Sequence, residues 1–320
     1  MLTDAAGARG HLADWRSPMP ASAPSEPPHT PSVRPKVIYV MGAGRSGSTI
    51  LGVTLGNCEG VFYAGELDKW LGRRGESPLP GSERACFWEQ VRAGVAAADL
   101  FGSATRCLER SSALFQPRCW RARRRLRSRY RRVAQELYLA VAQAAKATHV
   151  VDTSHYPLRA SELQALDGIE LYLLFVMREP HSVVASFGRE DVLERRFGPL
   201  AANAYMFLTY LISTWVFLRH PRERRLVLHH EDFRAEPAQA IRQVLDFACS
   251  PAAVPDLQAL GTGLPFQGNR LVRSDLVALE GGRPNPARRL LLTSLFQFPW
   301  RIILAQLRPA ADVSAAQPLG

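Results

Sequence analysis

The feature that most limits the fold is a glycine-rich loop that directly follows a short apolar segment. Residues 36–41 (KVIYVM) are apolar and partly β-branched, and they run into the loop Gly42–Thr49 (GAGRSGST). An apolar run that ends in glycine predicts a buried strand. Residues 48–55 then show helical character. A strand, a glycine loop and a helix in this order are typical of an α/β domain.

Further apolar runs alternate with helical segments along the chain. Residues 171–177 (LYLLFVM) are apolar throughout, as expected of a strand that is covered on both faces. The alternation predicts a three-layer α/β sandwich with a central parallel sheet. The other predicted strands are 61–64, 149–152 and 226–229, and the clearest predicted helices are 133–147, 199–218 and 237–248.

Composition divides the chain into three parts. Residues 1–35 are rich in Pro, Ala, Ser and Gly, which predicts a disordered leader. Residues 36–283 form the predicted domain, in which 73–147 reads as a helical insertion. Residues 284–320 form a C-terminal helix and tail. Their apolar, basic-edged stretch 288–308 either makes peripheral contact with a membrane or packs on the domain or on a second subunit, as in a homodimer, and we favour packing.

Positive charge is concentrated in one short segment. The formal net charge is +11, and nine arginines lie within residues 118–132. The only aromatic residues among them are Trp120 and Tyr130, and no nucleic-acid-binding motif is present, so we expect no nucleic-acid partner. A solvated helix face is the preferred interpretation, and a surface for an acidic or sulfated partner is the second.

The five cysteines are scattered and include no CxxC pair. This pattern predicts neither a disulfide framework nor a zinc site, and it fits a reducing cytoplasm. The N-terminal residues resemble no signal peptide, and no apolar run is long enough for a transmembrane helix. We therefore expect a cytoplasmic protein.

The loop Gly42–Thr49 has the spacing of a phosphate-binding loop. Its glycines let backbone N–H groups turn towards an anion, and the helix that follows adds a partial positive charge. A nucleoside-triphosphate enzyme would carry lysine after Gly47, but Ser48 stands there and the cation is Arg45. Phosphoryl transfer needs Mg²⁺ and lysine to offset a highly charged tail. A sulfuryl group carries less charge than a phosphoryl group, so its transfer needs less compensating positive charge.

The segment Arg45–Thr49 (RSGST) resembles the 5′-phosphosulfate loop of the PAPS-dependent sulfotransferases, in particular their bacterial and tyrosylprotein-sulfotransferase-like branch. The resemblance covers about residues 36–275 and implies a P-loop NTPase-like sulfotransferase fold. It implies 3′-phosphoadenylyl sulfate (PAPS) as co-substrate, PAP as product and no metal. The acceptor would be a small molecule, carbohydrate, lipid or peptide, bound with the help of 73–147. The implied donor-binding residues of the loop are Gly44, Arg45, Ser46, Gly47, Ser48 and Thr49.

Two further segments resemble the family's 3′-phosphate site. Arg178 ends a predicted strand, and Ser186 follows eight residues later on the next predicted helix, which is the family's spacing. Arginine at the carboxyl end of a strand points into the ligand crevice of an open sheet. The stretch Gly268-Asn269-Arg270, with Arg273 beyond it, resembles the segment that closes over the nucleotide.

The resemblance offers two candidates for the general base that takes the acceptor's proton. Glu66 lies in the segment AGEL, where the tyrosylprotein-like branch carries its catalytic glutamate. His155 follows a predicted strand in a context similar to the catalytic histidine of cytosolic sulfotransferases, at a position where bacterial relatives more often carry lysine. His155 would therefore be either the base or a replacement for a lysine that stabilises the transferring group. Arg45 would stabilise the departing phosphate.

Two other functions remain open from the sequence. A P-loop kinase or NTPase would use Asp152, at the end of a predicted strand, to bind Mg²⁺, but the lysine missing after Gly47 argues against it. The second of these functions is that of a non-catalytic protein that keeps the PAPS-binding fold.

Overall fold

A central sheet of five parallel strands runs through the protein. The computed structural model describes residues 34–76, 81–96, 102–187, 199–267 and 274–279. In spatial order the strands of the sheet are β2, β3, β1, β4 and β5, and every neighbouring pair is parallel. Their bounds are Lys36–Gly42 (β1), Val61–Gly65 (β2), His149–His155 (β3), Glu170–Met177 (β4) and Arg225–His229 (β5).

Helices connect the strands and cover the sheet. A small antiparallel pair, β6 (Leu260–Gly261) and β7 (Leu276–Val277), lies outside it. The helices are α1 (Ser48–Gly56), α2 (Leu67–Gly72), α3 (Glu83–Ala93), α4 (Thr105–Glu109), α5 (Pro117–Ala145), α6 (Pro157–Leu163), α7 (Pro180–Phe187), α8 (Pro199–Leu218), α9 (His230–Ala235) and α10 (Pro237–Phe247).

The central strands β1 and β4 are buried on both faces. In β4, Leu173 and Phe175 point into one apolar cluster with α5 and α8, whereas Leu174 and Val176 point into a second cluster with α1 and α10. Side chains of a strand alternate between faces, so an unbroken apolar run fills both layers at once. The predicted three-layer α/β fold with a parallel sheet is confirmed.

The arginine-rich segment belongs to a single 29-residue helix, α5, whose second half is the predicted helix 133–147. Three of its arginines bind one buried carboxylate, that of Glu162 on α6. Their distances to its oxygens are 2.7 Å for Arg123, 3.1 Å for Arg127 and 2.9 Å for Arg131. The other six are exposed, as a solvated helix face requires: Arg118, Arg121, Arg124, Arg125, Arg129 and Arg132.

The expectation of no disulfide is wrong. Cys107 on α4 and Cys119 on α5 form a disulfide, with their Cα atoms 4.8 Å apart, within the range that a disulfide needs. The packing of α4 against α5 creates the pair, and residue spacing gave no sign of it. The cysteine pattern therefore no longer supports a reducing compartment, and the cytoplasmic location stays a prediction.

Helix α8 contains a stretch, Leu200–Leu218, that is long and apolar enough to cross a membrane by length and composition, so the expectation that no apolar run reaches this length is wrong. Its buried residues Met206, Tyr210 and Phe217 pack in the cluster beside the sheet, whereas Leu211 and Trp215 are exposed. Burial of one face is what a core helix also shows.

Several predicted segments lie outside the described residues. They include nearly all of the predicted leader 1–35 and the whole C-terminal segment 284–320 with its stretch 288–308. The predicted domain boundaries accordingly stay predictions.

Candidate functional site

Each strand of the sheet brings one predicted or newly found site residue to the same edge. The loop Gly42–Thr49 follows β1, Glu66 follows β2, His155 ends β3, Arg178 follows β4, and His230 follows β5. All five strands are parallel, so their carboxyl ends share one edge of the sheet. Ligands of open α/β sheets bind in the crevice at this edge. The fold thus gathers residues that lie far apart in the sequence.

The loop after β1 has a backbone that few residue types tolerate. Arg45 has φ 70° and Gly47 has φ 89°, both in the left-handed region. Gly47 is also the N-cap of α1, whose first turn contains no acidic residue. The unsatisfied N–H groups and the positive end of the helix dipole therefore face the loop, which is the arrangement that binds phosphate.

Arg178 is held against this loop. Its Nη1 donates to the backbone oxygen of Arg45 at 2.8 Å, and its backbone N–H donates to the Tyr210 hydroxyl at 3.4 Å. The neighbouring Glu179 N–H donates to Glu231 at 2.9 Å. Arg178 therefore lies beside Arg45, as a shared ligand would require.

Two buried nitrogens beside the loop have no hydrogen-bond partner among the described residues. They are Nε of Arg45 and Nδ1 of His230. Buried polar groups are nearly always paired, because burying an unpaired polar group carries a substantial free-energy cost. An anion bound at the loop would satisfy the Arg45 Nε–H, and it would also satisfy a protonated His230 Nδ1.

His230 was not singled out from the sequence. A Cβ built on Gly47 would lie 2.5 Å from His230 Nδ1, so the imidazole packs directly on the loop. Burial, with the Arg178 and Arg234 cations, lowers the pKa of His230 to about 4, so the ring is neutral at pH 7. Residues 226–233 (LVLHHEDF) place a histidine directly after β5, but only the tertiary structure shows what that histidine contacts.

A second cluster lies at the ends of β2 and β3. Lys69 Nζ is 3.9 Å from Glu66 Oε2, and the backbone N–H of Asp68 donates to Ser154 Oγ at 3.1 Å. Burial raises the pKa of Asp68 to about 6, against the opposing effect of Lys69. Lys69 is thus the cation of this cluster. The spacing of three residues between Glu66 and Lys69 is the sequence signal that could have identified Lys69.

His155 belongs to the same cluster. It has φ 52°, a left-handed backbone that is rare for histidine and common at functional sites. Burial, assisted by Lys69, lowers the pKa of His155 to about 4, and its Nδ1 has no hydrogen-bond partner in the described part of the chain. The imidazole is therefore neutral at pH 7.

Asp152 is fully buried and engaged within the protein. It accepts from the Tyr138 hydroxyl at 2.6 Å, from Arg159 Nη2 at 3.0 Å and from Ser154. Among the described residues, no group of three or more His, Cys, Asp or Glu side chains is placed to hold a metal ion. These contacts make Asp152 a structural residue that ties β3 to α5 and α6.

Aromatic residues join the two clusters. The Tyr205 hydroxyl is hydrogen-bonded to the backbone of Gly44, and the Arg110 guanidinium lies 5.7 Å from the ring centre of Tyr156, next to His155. Burial raises the pKa of Tyr205, so its hydroxyl stays protonated. None of these side chains was predicted from the sequence.

The remaining predicted residues are only partly described. Ser186 lies on α7, two turns beyond Arg178, and is partly exposed. Asn269, Arg270 and Arg273 lie outside the described residues. The chain just before them reaches the site, because the Glu66 N–H donates to the backbone oxygen of Gln267 at 2.9 Å.

Comparison with known proteins agrees with this architecture. No protein-family model matches the chain. No curated protein matches it either. A sulfotransferase domain from the curacin biosynthetic pathway is similar over 83% of this chain and 98% of its own length, with a TM-score of 0.50 and 18% identity. A sulfotransferase domain from the Synechococcus PCC 7002 olefin synthase is similar over 84% of this chain and 95% of its own, with a TM-score of 0.49 and 17% identity. The chain therefore has the sulfotransferase fold.

Proposed function

We propose that this chain transfers the sulfuryl group of PAPS to a hydroxyl or amine of an acceptor. The observation that carries the proposal is the pair of partnerless buried nitrogens, on Arg45 and His230, at a left-handed glycine loop that opens a helix. Arg178, bonded to the backbone of Arg45, adds a second cation beside them. This set of donors fits a bound phosphate.

The loop side of the site would hold the donor. The N–H groups at the start of α1, with Ser46, Ser48 and Thr49, would bind the 5′-phosphosulfate, and Arg178 and Ser186 would bind the 3′-phosphate. Arg45 and the loop N–H groups would then stabilise the phosphate as negative charge develops on it. The segment with Asn269, Arg270 and Arg273 would close over the nucleotide.

The second cluster would handle the proton. The acceptor oxygen or nitrogen attacks sulfur in line, a new bond to sulfur forms, and the bond from sulfur to the 5′-phosphate oxygen breaks with its electron pair going to that phosphate. Glu66 takes the acceptor's proton, and His155 is the alternative base. Lys69, 3.9 Å from Glu66, would stabilise its carboxylate.

Replacement of each base candidate distinguishes them. Loss of a general base costs about 10²- to 10⁴-fold in rate. We expect kcat of Glu66→Gln to fall by this factor and that of the exposed control Glu59→Gln to stay unchanged. If Glu66→Ala and His155→Ala both keep near-full rates with PAPS, this assignment fails.

The donor is tested by thermal unfolding with PAP or with ATP–Mg²⁺. A ligand present at 100 times its Kd stabilises the folded state by about 2.7 kcal/mol. We expect PAP to raise the melting temperature and Arg178→Ala to remove the effect, whereas Arg132→Ala, exposed on α5, retains it. Stabilisation by ATP–Mg²⁺ alone would favour a kinase, although the contacts of Asp152 argue against its role in binding Mg²⁺.

Turnover is tested by incubating the chain with labelled PAPS and a metabolite extract. A labelled product that forms with the native chain but not with Glu66→Gln supports transfer. Binding of PAP without any labelled product would instead indicate a protein that keeps the fold and binds the nucleotide without catalysis.

A further inference from the structure

A basic cleft lies next to Glu66. Two cavities, of about 240 and 460 Å³, share Ser103, Arg106 and Arg110 in their walls and are therefore adjacent. The walls come from α2 with the residue after it, and from residues 102–119, which contain α4 and the start of α5. Five cationic side chains line the cleft: Lys69, Arg73, Arg106, Arg110 and Arg118.

The acidic side chains of the same walls do not balance this charge. They are Asp68 and Glu109, and both are buried. Glu109 is already bound, since it accepts from Arg159 Nη1 at 3.0 Å and from the Tyr130 hydroxyl at 2.7 Å. The cleft therefore keeps an excess of positive charge.

Three of the arginines make no ion pair within the described chain. Arg73, Arg106 and Arg110 have no carboxylate within 4.0 Å among the described residues, whereas Arg123, Arg127 and Arg131 on α5 share Glu162. Arginines that line one concave surface without acidic partners are the usual arrangement for binding carboxylate or phosphate.

The cleft lies next to the groups proposed to react. Lys69 belongs to its wall and lies 3.9 Å from Glu66 Oε2. Arg110 belongs to both cavities and stacks 5.7 Å from the ring centre of Tyr156, beside His155. A molecule with its hydroxyl at Glu66 would have its remaining part among these cations.

We propose that this cleft receives the acceptor and that the acceptor carries an anionic group, a carboxylate, phosphate or sulfate, bound by Arg106 and Arg110. The proposal rests on the proposed sulfuryl transfer and specifies the substrate class of the same site. Neutral sugars, sterols and simple phenols are excluded as the preferred acceptor.

Titration of simple anions into the full chain, with the loop saturated by PAP, tests the cleft directly. The probes are citrate, as a carboxylate, and inorganic phosphate, which distinguish the two ligand chemistries. We expect at least one to bind the native chain, and to bind Arg106→Ala/Arg110→Ala at least about tenfold more weakly, as the loss of charge-assisted hydrogen bonds implies. The control Arg125→Ala, exposed on the outer face of α5, should bind as the native chain does.

The labelled product of the metabolite extract supplies the second readout. Its precursor must carry a carboxylate, phosphate or sulfate before transfer, and for this precursor KM of Arg106→Ala should rise at least about tenfold while kcat changes little. A neutral precursor overturns the proposal. Anion binding that is absent in the native chain, or that survives the double substitution, overturns it as well.

Failure of the donor assignment gives a different pattern. If PAP does not bind, the proposed function is wrong, and the anions are then titrated without PAP into Arg45→Ala. Binding that depends on Arg106 and Arg110 but not on Arg45 would still place an anion in the cleft. Binding that depends on Arg45 alone would refute the cleft.

Discussion

Gly47 satisfies two independent constraints at one position. Its φ of 89° favours glycine, and an added Cβ would lie 2.5 Å from the His230 imidazole. The first constraint is shared with Gly263, which has φ 64° and nothing within 4 Å of an added Cβ. Comparing the two glycines separates backbone strain from the contact with His230.

We expect Gly47→Ala to weaken PAP binding at least tenfold, because the loop or the ring must shift. Gly263→Ala should cost only the backbone strain, about 1–2 kcal/mol of unfolding free energy, and leave PAP binding intact. Calorimetric titration and urea unfolding measure the two effects. Equal PAP affinity in both variants would show that the His230 contact does not matter.

His230 also makes stability depend on pH. Its folded pKa of about 4 lies below the ordinary value of 6.5, so the unfolded chain binds the proton more readily between these values. Its contribution is fully present above pH 6.5 and is lost as the pH falls towards 4. At pH 5 the loss amounts to about 2 kcal/mol.

The variant His230→Gln has no titrating side chain at this position, so it should lack this pH-dependent contribution to the unfolding free energy. Urea unfolding at pH 7.5 and pH 5 gives the change in unfolding free energy for both chains. We expect the native chain to lose about 2 kcal/mol more than His230→Gln over this interval. The same loss in both chains would mean that the folded pKa of His230 is not lowered.

Helix α5 shows how one acidic residue organises a basic segment. Arg123, Arg127 and Arg131 recur every four residues and so lie on one face, where Glu162 of α6 receives all three. The preferred sequence interpretation, a solvated face, describes only the outward arginines. Nothing in the spacing of residues 118–132 identifies a partner on another helix.

Removal of Glu162 should therefore cost far more than removal of any exposed arginine. We expect Glu162→Ala to lower the unfolding free energy by about 3–5 kcal/mol, since it leaves cations facing a buried position without their partner. The control Arg124→Ala, exposed on the same helix, should change it by less than about 0.5 kcal/mol. Denaturant unfolding of both variants at low and high salt measures the difference.

At the scale of the molecule, the sheet is the layer shared by two apolar clusters. Phe175 on β4 is fully buried, with its ring centre 5.7 Å from that of Tyr210 and 5.6 Å from that of Phe217, both on α8. It joins a central strand to a covering helix. The position of β4 next to the phosphate loop therefore depends on this packing.

We expect Phe175→Ala to lower the unfolding free energy by about 3–5 kcal/mol, through lost apolar burial and the cavity left behind. The matched control is Phe115→Ala, because the Phe115 side chain is 69% exposed and should contribute less than about 0.5 kcal/mol. Chemical denaturation followed by tryptophan fluorescence gives both values. Similar losses would contradict the assignment of Phe175 to the core.

Much of this architecture is determined by the sequence itself. The unbroken apolar runs of β1 and β4 specify strands covered on both faces, and the glycines after β1 specify a turn between strand and helix, because both effects act over a few residues. The predicted order of strands and helices is confirmed. The resemblance placed Arg178, Glu66 and His155, and the parallel sheet brings all three to one edge.

Contacts between distant residues were decided only by the tertiary structure. The Cys107–Cys119 disulfide, the binding of three arginines by Glu162 and the contact of His230 with Gly47 each join different elements, so no local pattern announces them. The same is true of the basic cleft, whose walls come from two separate stretches of chain, residues 68–73 and 102–119. Periodicity reports which face of an element is buried, but which elements then meet depends on how all of them pack together.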